Sequence, residues 1–416
     1  MGSPPKPTDQ VGDVQVAARK SDDYMKIEST YGAHNYHPIP VVISKAEGVW
    51  VWDPEGKKYL DMLSCYSALN QGHRHPKIIK AATEQMAQLT LTSRAFYNDK
   101  LGPFLKKLTE LAGLEMALPM NTGAEAVETG IKLARRWGYR VKQVPENKAE
   151  IIGCANNFHG RTTTIIGFST DEAAREGFGP FTPGFKIIPY DDTGALEAAI
   201  TPNTVAFLVE PIQGEAGVKV PSSGYLKKVR EICTKNHVLL MLDEIQTGFC
   251  RTGRMFCFMH EGIKPDILLV GKALGGGLMP ISAVLSSKEI MSVFTPGSHG
   301  STFGGNPLAC AIGTAALAVL VDEELDRRSE ELGSYFMKQL QNLNNPLFKE
   351  IRGRGLLIAV ELTPEAGPAR KYTEALMRNG LLAKETHEST IRFAPPLVIK
   401  KEEIDEAIRI IEKVLR

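Results

Sequence analysis

Val238-Leu239-Leu240-Met241-Leu242-Asp243-Glu244-Ile245-Gln246-Thr247-Gly248 and, further on, Ile267-Leu268-Leu269-Val270-Gly271-Lys272-Ala273-Leu274-Gly275-Gly276-Gly277 share one pattern. In each, a short unbroken apolar run leads directly into turn-forming and charged residues. Such runs read as strands buried on both faces, as in a parallel sheet. Ligands of these sheets sit beyond the carboxyl ends of the strands. Asp243 and Lys272 both fall at that edge, each directly after its run.

Outward from this pair, apolar runs at 151–154, 164–168, 187–189, 206–210, 238–242 and 267–270 alternate with helical stretches. That alternation predicts an α/β lobe built on a mainly parallel sheet between about residues 115 and 286. The segment 31–40, rich in Pro and aromatics, reads as extended chain laid over something else. Residues 49–62, with the turn Asp53-Pro54-Glu55-Gly56, read as a hairpin, and a helix is expected from Pro76 to about Leu91. A long helix is expected over 307–324. A strand at 355–362 and an amphipathic helix at 402–416, with Ile404, Ile408, Ile411 and Leu415 on one face, predict a smaller α+β lobe. The expected division is a disordered arm or tag remnant over 1–18, an N-terminal segment with part of the small domain over 19–80, a large domain over 81–320 and a C-terminal small domain over 321–416.

A chain of 416 residues can bury a large core, and its 43% hydrophobic and 23% charged residues are ordinary for a soluble globular protein. A net charge of +1 gives no electrostatic reason to expect nucleic acid or an anionic membrane. No apolar run approaches the roughly 20 residues needed to span a bilayer. The six cysteines lack metal-ligand spacing, and Cys154 and Cys310 lie in apolar runs, so free thiols in a reducing compartment are expected. The first residues carry neither a signal h-region nor an Arg-rich transit pattern. The expected location is the cytoplasm, with the mitochondrial matrix after presequence removal as the alternative.

A carboxylate and a lysine facing one pocket suit a cofactor with a basic ring nitrogen and an aldehyde, as in pyridoxal phosphate. The lysine would hold it as a Schiff base, and Asp243 would keep the pyridine nitrogen protonated. Gln246 could then reach the ring's phenolic oxygen. Singly, Asp243 reads as a helix cap and Lys272 as a surface lysine; the pair, with three glycines behind the lysine, favours the cofactor. Asn121-Thr122-Gly123-Ala124-Glu125-Ala126 opens a helix with the apolar stripe Val127, Ile131, Ala134 and Trp137. Thr122 is its expected N-cap, and the start is either an ordinary capped helix or an anion site. Phe158 follows the 151–154 strand, where an aromatic can stack on a planar ring. His159 beside it reads as packed or hydrogen-bonded. Arg392 lies in an apolar run ending in two prolines, where an unpaired cation is expensive. His73 and His75 read as structural, and no metal is expected.

Residues 242–248, Arg251-Thr252-Gly253 and residues 271–277 together resemble the class III (ω-) aminotransferases, and the resemblance runs from about Tyr31 to the C-terminus. It implies a fold-type I α/β architecture: a large lobe with a mainly parallel, seven-stranded-type sheet and a smaller α+β lobe built from both chain ends. It implies pyridoxal 5'-phosphate bound to Lys272, with Asp243 and Lys272 as the catalytic pair. Phe158 and Gln246 would place the ring. Gly123 and Ala124 would hold the phosphate, helped by Ser301 and Thr302 of the partner subunit, so that a homodimer, possibly a higher oligomer, shares its active sites.

At the substrate end the resemblance implies Arg161 and Arg392 as carboxylate binders. Glu215 would mask Arg392 while the amino donor is bound and release it for the keto acid. Residues 35–38, 64–73 and 384–387 are similar to the members that move the δ-amino group of L-ornithine to 2-oxoglutarate. There Tyr36 would orient the α-amino and carboxylate end with Arg161, and Tyr66 would line the pocket; simple packing is the alternative for both. Cys250 before Arg251 and Leu69 before Asn70 depart from the pattern. Rival readings are a donor such as N-acetylornithine or 4-aminobutyrate, and a non-catalytic cofactor-binding protein. Nicotinamide-dependent dehydrogenation lacks support, because 352–355 has no strand-then-helix glycine fingerprint.

Overall fold

Three short strands, β1 (Lys45–Glu47), β2 (Trp50–Trp52) and β3 (Lys58–Asp61), form an antiparallel meander near the start of the chain. The structure, a computed structural model, describes residues 20–416. The arm expected over 1–18 lies outside the described residues.

The central sheet follows: β4 (Met116–Met120), β5 (Glu150–Cys154), β6 (Phe185–Ile188), β7 (Thr204–Val209), β8 (Leu239–Asp243), β9 (Ile267–Val270) and β10 (Ser282–Ser286). Their order is β4-β10-β9-β8-β7-β5-β6. The β5–β9 strands pair in parallel, while β10 runs antiparallel to both β9 and β4. The sheet is therefore mainly parallel with one reversed strand. Every residue of β7, β8, β9 and β10 is buried, as expected of strands covered on both faces.

One face is covered by the helix Gly123–Arg140, whose Val127, Ile131 and Ala134 pack with Val205, Leu239, Met241 and Leu269. Gly130 permits that approach, since a Cβ there would stand 2.8 Å from a Leu269 methyl and 2.9 Å from Met241 Sδ. The other face packs Leu240, Leu242, Leu268 and Val270 in the cluster that holds Phe104, Leu108, Leu317 and Leu320. Each such fully buried side chain contributes roughly 1.5–3 kcal/mol.

The smaller lobe holds β11 (Phe348–Arg354), β12 (Leu357–Leu362), β14 (Lys384–Thr386) and β15 (Thr390–Phe393) in one antiparallel sheet. β13 (Leu381–Leu382) instead joins β3 in parallel, so the meander and the C-terminal region share a sheet. The last helix, Lys401–Val414, buries Ile404, Ala407 and Ile411 and accepts a 2.9 Å hydrogen bond from Trp50 Nε1 to Glu403 Oε1.

Local expectations fail in three places. The predicted strand at 164–168 is a helical turn, Thr163–Ile166. Its β-branched run imitates a strand, but Thr162 Oγ1 accepts from the Ile165 N–H at 3.3 Å and caps a helical turn instead. The helix from Pro76 stops at Met86, and Gln85 Nε2 donates to the Leu89 carbonyl at 2.7 Å beyond it. The strands β4 and β10 are absent from the sequence reading. Pro119 weakens the strand signal of β4, and its place on the sheet edge is where proline is tolerated.

Among the described residues no helix is long and apolar enough to cross a membrane. All six cysteines are free, and all but Cys65 are buried. His73 and His75 each face a carboxylate, Asp61 at 2.8 Å and Glu323 at 3.1 Å.

Candidate active site

The carboxyl ends of β4, β5, β7, β8 and β9 deliver Thr122, Phe158 with His159, Glu210, Asp243 and Lys272 to one edge of the sheet. There a cavity of about 230 Å³ is lined by Gly123, Ala124, Phe158, His159, Glu210, Glu215, Asp243, Gln246 and Lys272, among others. The sheet edge thus collects residues that lie far apart in the chain. A wider pocket of about 570 Å³ shares Phe158, His159 and Glu215 with it and adds Tyr36, Tyr66, Arg161 and Arg392.

Asp243 is held from two sides. Its Oδ1 accepts from the Ile245 N–H at 3.0 Å, and its Oδ2 lies 2.6 Å from His159 Nδ1, with both side chains buried. Burial alone would push the His159 imidazole down, but the hydrogen bond and charge of Asp243, with Glu210 nearby, raise it above its ordinary value. A raised histidine contributes stability that is fully present below its unfolded value of about 6.5 and is lost as pH rises through its folded value. His159→Asn should therefore cost roughly 1.5–3 kcal/mol at mildly acidic pH, with the deficit shrinking toward alkaline pH. Thermal unfolding of both proteins across pH checks this; a pH-independent deficit would refute it.

Lys272 begins a short turn, Lys272–Gly275, with a left-handed φ of 44°. A lysine in that region is strained, and such strain collects at functional positions. Burial pushes its amine below the ordinary lysine value; Glu215 and Asp243 oppose the shift and Arg392 adds to it. The result is a buried amine with a raised neutral fraction.

Glu210, directly after β7, is a cavity residue that the sequence reading left without a role. Burial pushes its carboxyl up to about 8, against the opposing pull of His159, and its Oε2 accepts from the Phe158 N–H at 3.1 Å. The signal was available: it is the same strand-end position that singles out Asp243 and Lys272.

At the phosphate end, Thr122 caps the helix Gly123–Arg140: its Oγ1 accepts from the Glu125 N–H, and the Glu125 carboxylate accepts from Thr122 N. The N–H groups of Gly123 and Ala124, at the helix start, have no acceptor in the first turn. Ser301 and Thr302 stand elsewhere. Ser301 Oγ accepts from Asn121 Nδ2 at 3.0 Å, and Thr302 is exposed; neither lines the Lys272 cavity of its own chain.

At the other end, Arg392 is almost wholly buried and pairs with Glu215 at 2.6 Å (Nη1 to Oε1). Its Nε and Nη2 have no hydrogen-bond partner among the described residues. The same Glu215 oxygen accepts from Gln246 Nε2 at 3.0 Å, so Gln246 lines the ring cavity while its amide nitrogen is engaged with Glu215. Burial would raise the Glu215 carboxyl, but the charge and hydrogen bond of Arg392, joined by Gln246, hold it below the usual carboxylate range. Gly214 makes room for this amide, since a Cβ there would stand 1.6 Å from Gln246 Oε1.

The Arg392 guanidinium lies over the Tyr66 ring, 4.9 Å from its centroid. Tyr66 is presented by an unusual element, four consecutive residues from Ser64 to Ser67 with φ of 45°, 47°, 59° and 72°. A left-handed turn of L-residues costs roughly 1–2 kcal/mol per residue, so its surroundings must hold it. Tyr36 is 77% exposed at the pocket mouth, and the Arg161 guanidinium sits 5.7 Å from the Phe158 ring centroid.

These residues fit pyridoxal phosphate. A buried amine, a pre-oriented carboxylate and an aromatic border one cavity beside a helix start, and the buried Gln246 Oε1 has no hydrogen-bond partner among the described residues. The family profile described as aminotransferase class-III matches residues 31–415. The chain belongs to the class-III aminotransferases, and its fold is that of the fold-type I enzymes. The ornithine aminotransferase of Brevibacillus brevis is 66% identical over 391 residues, 94% of this chain and 97% of that protein. The ornithine aminotransferase of Toxoplasma gondii, whose structure shows partial occupancy of PLP at its active site, superposes with a TM-score of 0.95 at 49% identity, covering 96% of this chain and 95% of that one. An acetylornithine aminotransferase of Elizabethkingia anophelis follows, with a TM-score of 0.86 at 50% identity over 95% and 99% of the two chains.

Proposed function

We infer that the chain transfers the δ-amino group of L-ornithine to 2-oxoglutarate, the ornithine aminotransferase reaction, giving glutamate 5-semialdehyde and glutamate. The observation that carries this reading is Arg392, buried, paired with Glu215 and keeping two unpartnered nitrogens beside the Lys272 cavity. A donor that reacts through a terminal amine brings no carboxylate to that position, so Glu215 keeps Arg392 neutralised. A dicarboxylic keto acid displaces Glu215 and takes the fork in paired hydrogen bonds.

Bound pyridoxal phosphate supplies the electron sink and carries the amino group between the two half-reactions. Lys272 Nζ anchors it and, once freed by substrate, moves the proton as base and then acid. Asp243 holds the ring nitrogen's proton, with His159 fixing the carboxylate's orientation. Phe158 would cover the ring, Gln246, whose amide nitrogen donates to Glu215, would place it, and the Gly123 and Ala124 N–H groups would bind the phosphate. Thr302 and Ser301 of the partner subunit complete that phosphate site, which makes a homodimer the working unit. Tyr36 and Arg161 hold the α-amino and carboxylate end of ornithine, and Tyr66 sets the distance to Lys272. Small soluble substrates and free thiols fit a cytoplasmic enzyme.

Glu215→Gln leaves the Arg392 charge unmasked. Breaking such a pair costs about 3–5 kcal/mol when fully buried and less for a partly exposed carboxylate, so the ornithine half-reaction should slow roughly 10²-fold. The 2-oxoglutarate half-reaction should change little. Single-turnover kinetics of each half separates the two, and equal slowing of both would refute the masking role.

The likeness to the Elizabethkingia anophelis enzyme favours one rival, N-acetylornithine as donor. Titrating the absorption of the cofactor-loaded protein with L-ornithine, N-acetylornithine and 4-aminobutyrate decides. Fastest bleaching by ornithine, reversed by 2-oxoglutarate, supports the reading. Bleaching by a rival amine alone overturns the roles of Tyr36 and Tyr66 while leaving the cofactor site intact.

A further inference from the structure

Arg251 belongs to the motif Arg251-Thr252-Gly253 that no step above uses, and it is among the largest wholly buried side chains in the protein. Among the described residues its guanidinium faces no carboxylate at bonding distance. Nη1 donates to the carbonyls of Leu356 at 2.9 Å and Pro395 at 2.7 Å. Nη2 donates to Ser64 Oγ at 3.0 Å and Asn70 Oδ1 at 2.6 Å. Burying a cation is costly, and burial pushes Arg251 down to about 9, with the charge of Asp61 opposing the shift. Packing alone would favour an apolar residue in its place.

Three of the four acceptors lie on two segments that carry the substrate pocket; the fourth, Leu356, lies in the turn between β11 and β12. Ser64 opens the left-handed turn that presents Tyr66, and Asn70 follows three residues beyond its end, its Nδ2 donating to the Phe249 carbonyl at 2.7 Å. Pro395 directly follows the exit of β15, which bears Arg392. Ser64 Oγ also donates to the Ala394 carbonyl at 2.7 Å, so one hydroxyl joins Arg251, the strained turn and the strand exit. Across this junction the Tyr66 ring and the Arg392 guanidinium stand 4.9 Å apart.

We propose that Arg251 is a positioning residue for substrate choice, its planar fork locking the turn that carries Tyr66 against the strand exit that carries Arg392. The fork serves acceptors on both sides at once. A lysine ammonium donates from one point and must abandon one side. With the junction loosened, the turn relaxes out of its left-handed conformation and the length gauge between Tyr66 and Arg392 blurs. Lys272, Asp243 and the phosphate site stand on other elements and keep their geometry.

The proposal rests on Tyr66 and Arg392 acting on substrate, and the test separates the two ideas. In Arg251→Lys holoenzyme, the cofactor absorption band and cofactor affinity should stay within about twofold of the parent, with kcat little changed. KM for ornithine and for 2-oxoglutarate should each rise about tenfold, and the preference for ornithine over the one-carbon-longer lysine should narrow. Ser64→Ala, which removes the shared hydroxyl and no charge, should raise both KM values about threefold in the same direction, and the double variant should fall short of the product of the single effects. Loss of cofactor affinity and kcat with unchanged KM values and unchanged preference would show a merely structural cross-link and overturn the proposal. If Arg251→Lys does not fold, unchanged KM values in Ser64→Ala overturn it. Arg392→Lys is the control: if it leaves KM for 2-oxoglutarate unchanged, the reading of the pocket fails, whereas an effect there with none in Arg251→Lys and Ser64→Ala removes only the positioning role.

Discussion

Lys272→Ala should lower turnover by at least roughly 10⁴-fold, because in the proposed mechanism the anchor of the cofactor and the proton carrier are one amine. The fold should not suffer. Alanine meets the same left-handed backbone constraint at φ 44° as lysine does, and the variant no longer buries an ammonium group whose charged form burial disfavours. The melting temperature of the variant should match or exceed the parent's, while its cofactor exchanges freely on dialysis. Turnover near the parent's level would sink the assignment of the site.

Asp243→Asn should be the second most damaging change at near-constant shape. The amide keeps an oxygen for the Ile245 N–H, so the local turn survives. In the proposed mechanism the lost negative charge would leave the protonated ring without its counter-charge in a buried site, worth about 3–5 kcal/mol, or between 10²- and 5 × 10³-fold in rate. His159 loses the partner that raises it and should return toward neutrality at physiological pH. The pH dependence of the cofactor absorption, measured beside kcat, reads both changes; a spectrum and rate within threefold of the parent's would remove Asp243 from the mechanism.

The parts of the fold legible in the sequence are those decided locally. The runs at 238–242 and 267–270 are too short and too apolar for anything but buried strands, and the residues after them must lie at the ligand edge. Thr122 announces a helix start because a hydroxyl cap and a glutamate three residues later form a mutual capping pair. Residues 164–168 mislead for the same reason. Their side chains favour a strand, and only the Thr162 cap and the lack of a pairing neighbour decide for a helical turn. β10 is hidden because a strand with serine at both ends, reversed against its neighbours, carries no periodic mark of its own.

Within the site, what escaped the sequence is pairing across elements. Asp243 and His159 lie 84 positions apart, and Gln246 and Glu215 lie 31 apart. No spacing rule links them, and only the sheet order does. Glu210 was legible by position but not by environment: a glutamate after a strand reads as solvated until the packing above it is known. Arg251 is the extreme case, a charged residue whose motif is plain while its four acceptors come from segments up to 187 positions away.

The parallel pairing of β3 with β13 joins Leu60 to Leu381 and Asp61 to Leu382. A ribosome delivers the first of these strands long before the second, and at about 5–20 residues per second the interval is some tens of seconds. Through that interval one side of β3 has no mate and offers unpaired backbone groups to any passing chain. The large lobe can assemble meanwhile, but the nascent enzyme stays open along one seam until nearly its last residues emerge. Shielding by a chaperone matters most then, and a premature stop before residue 381 should yield insoluble protein rather than a weakened catalyst.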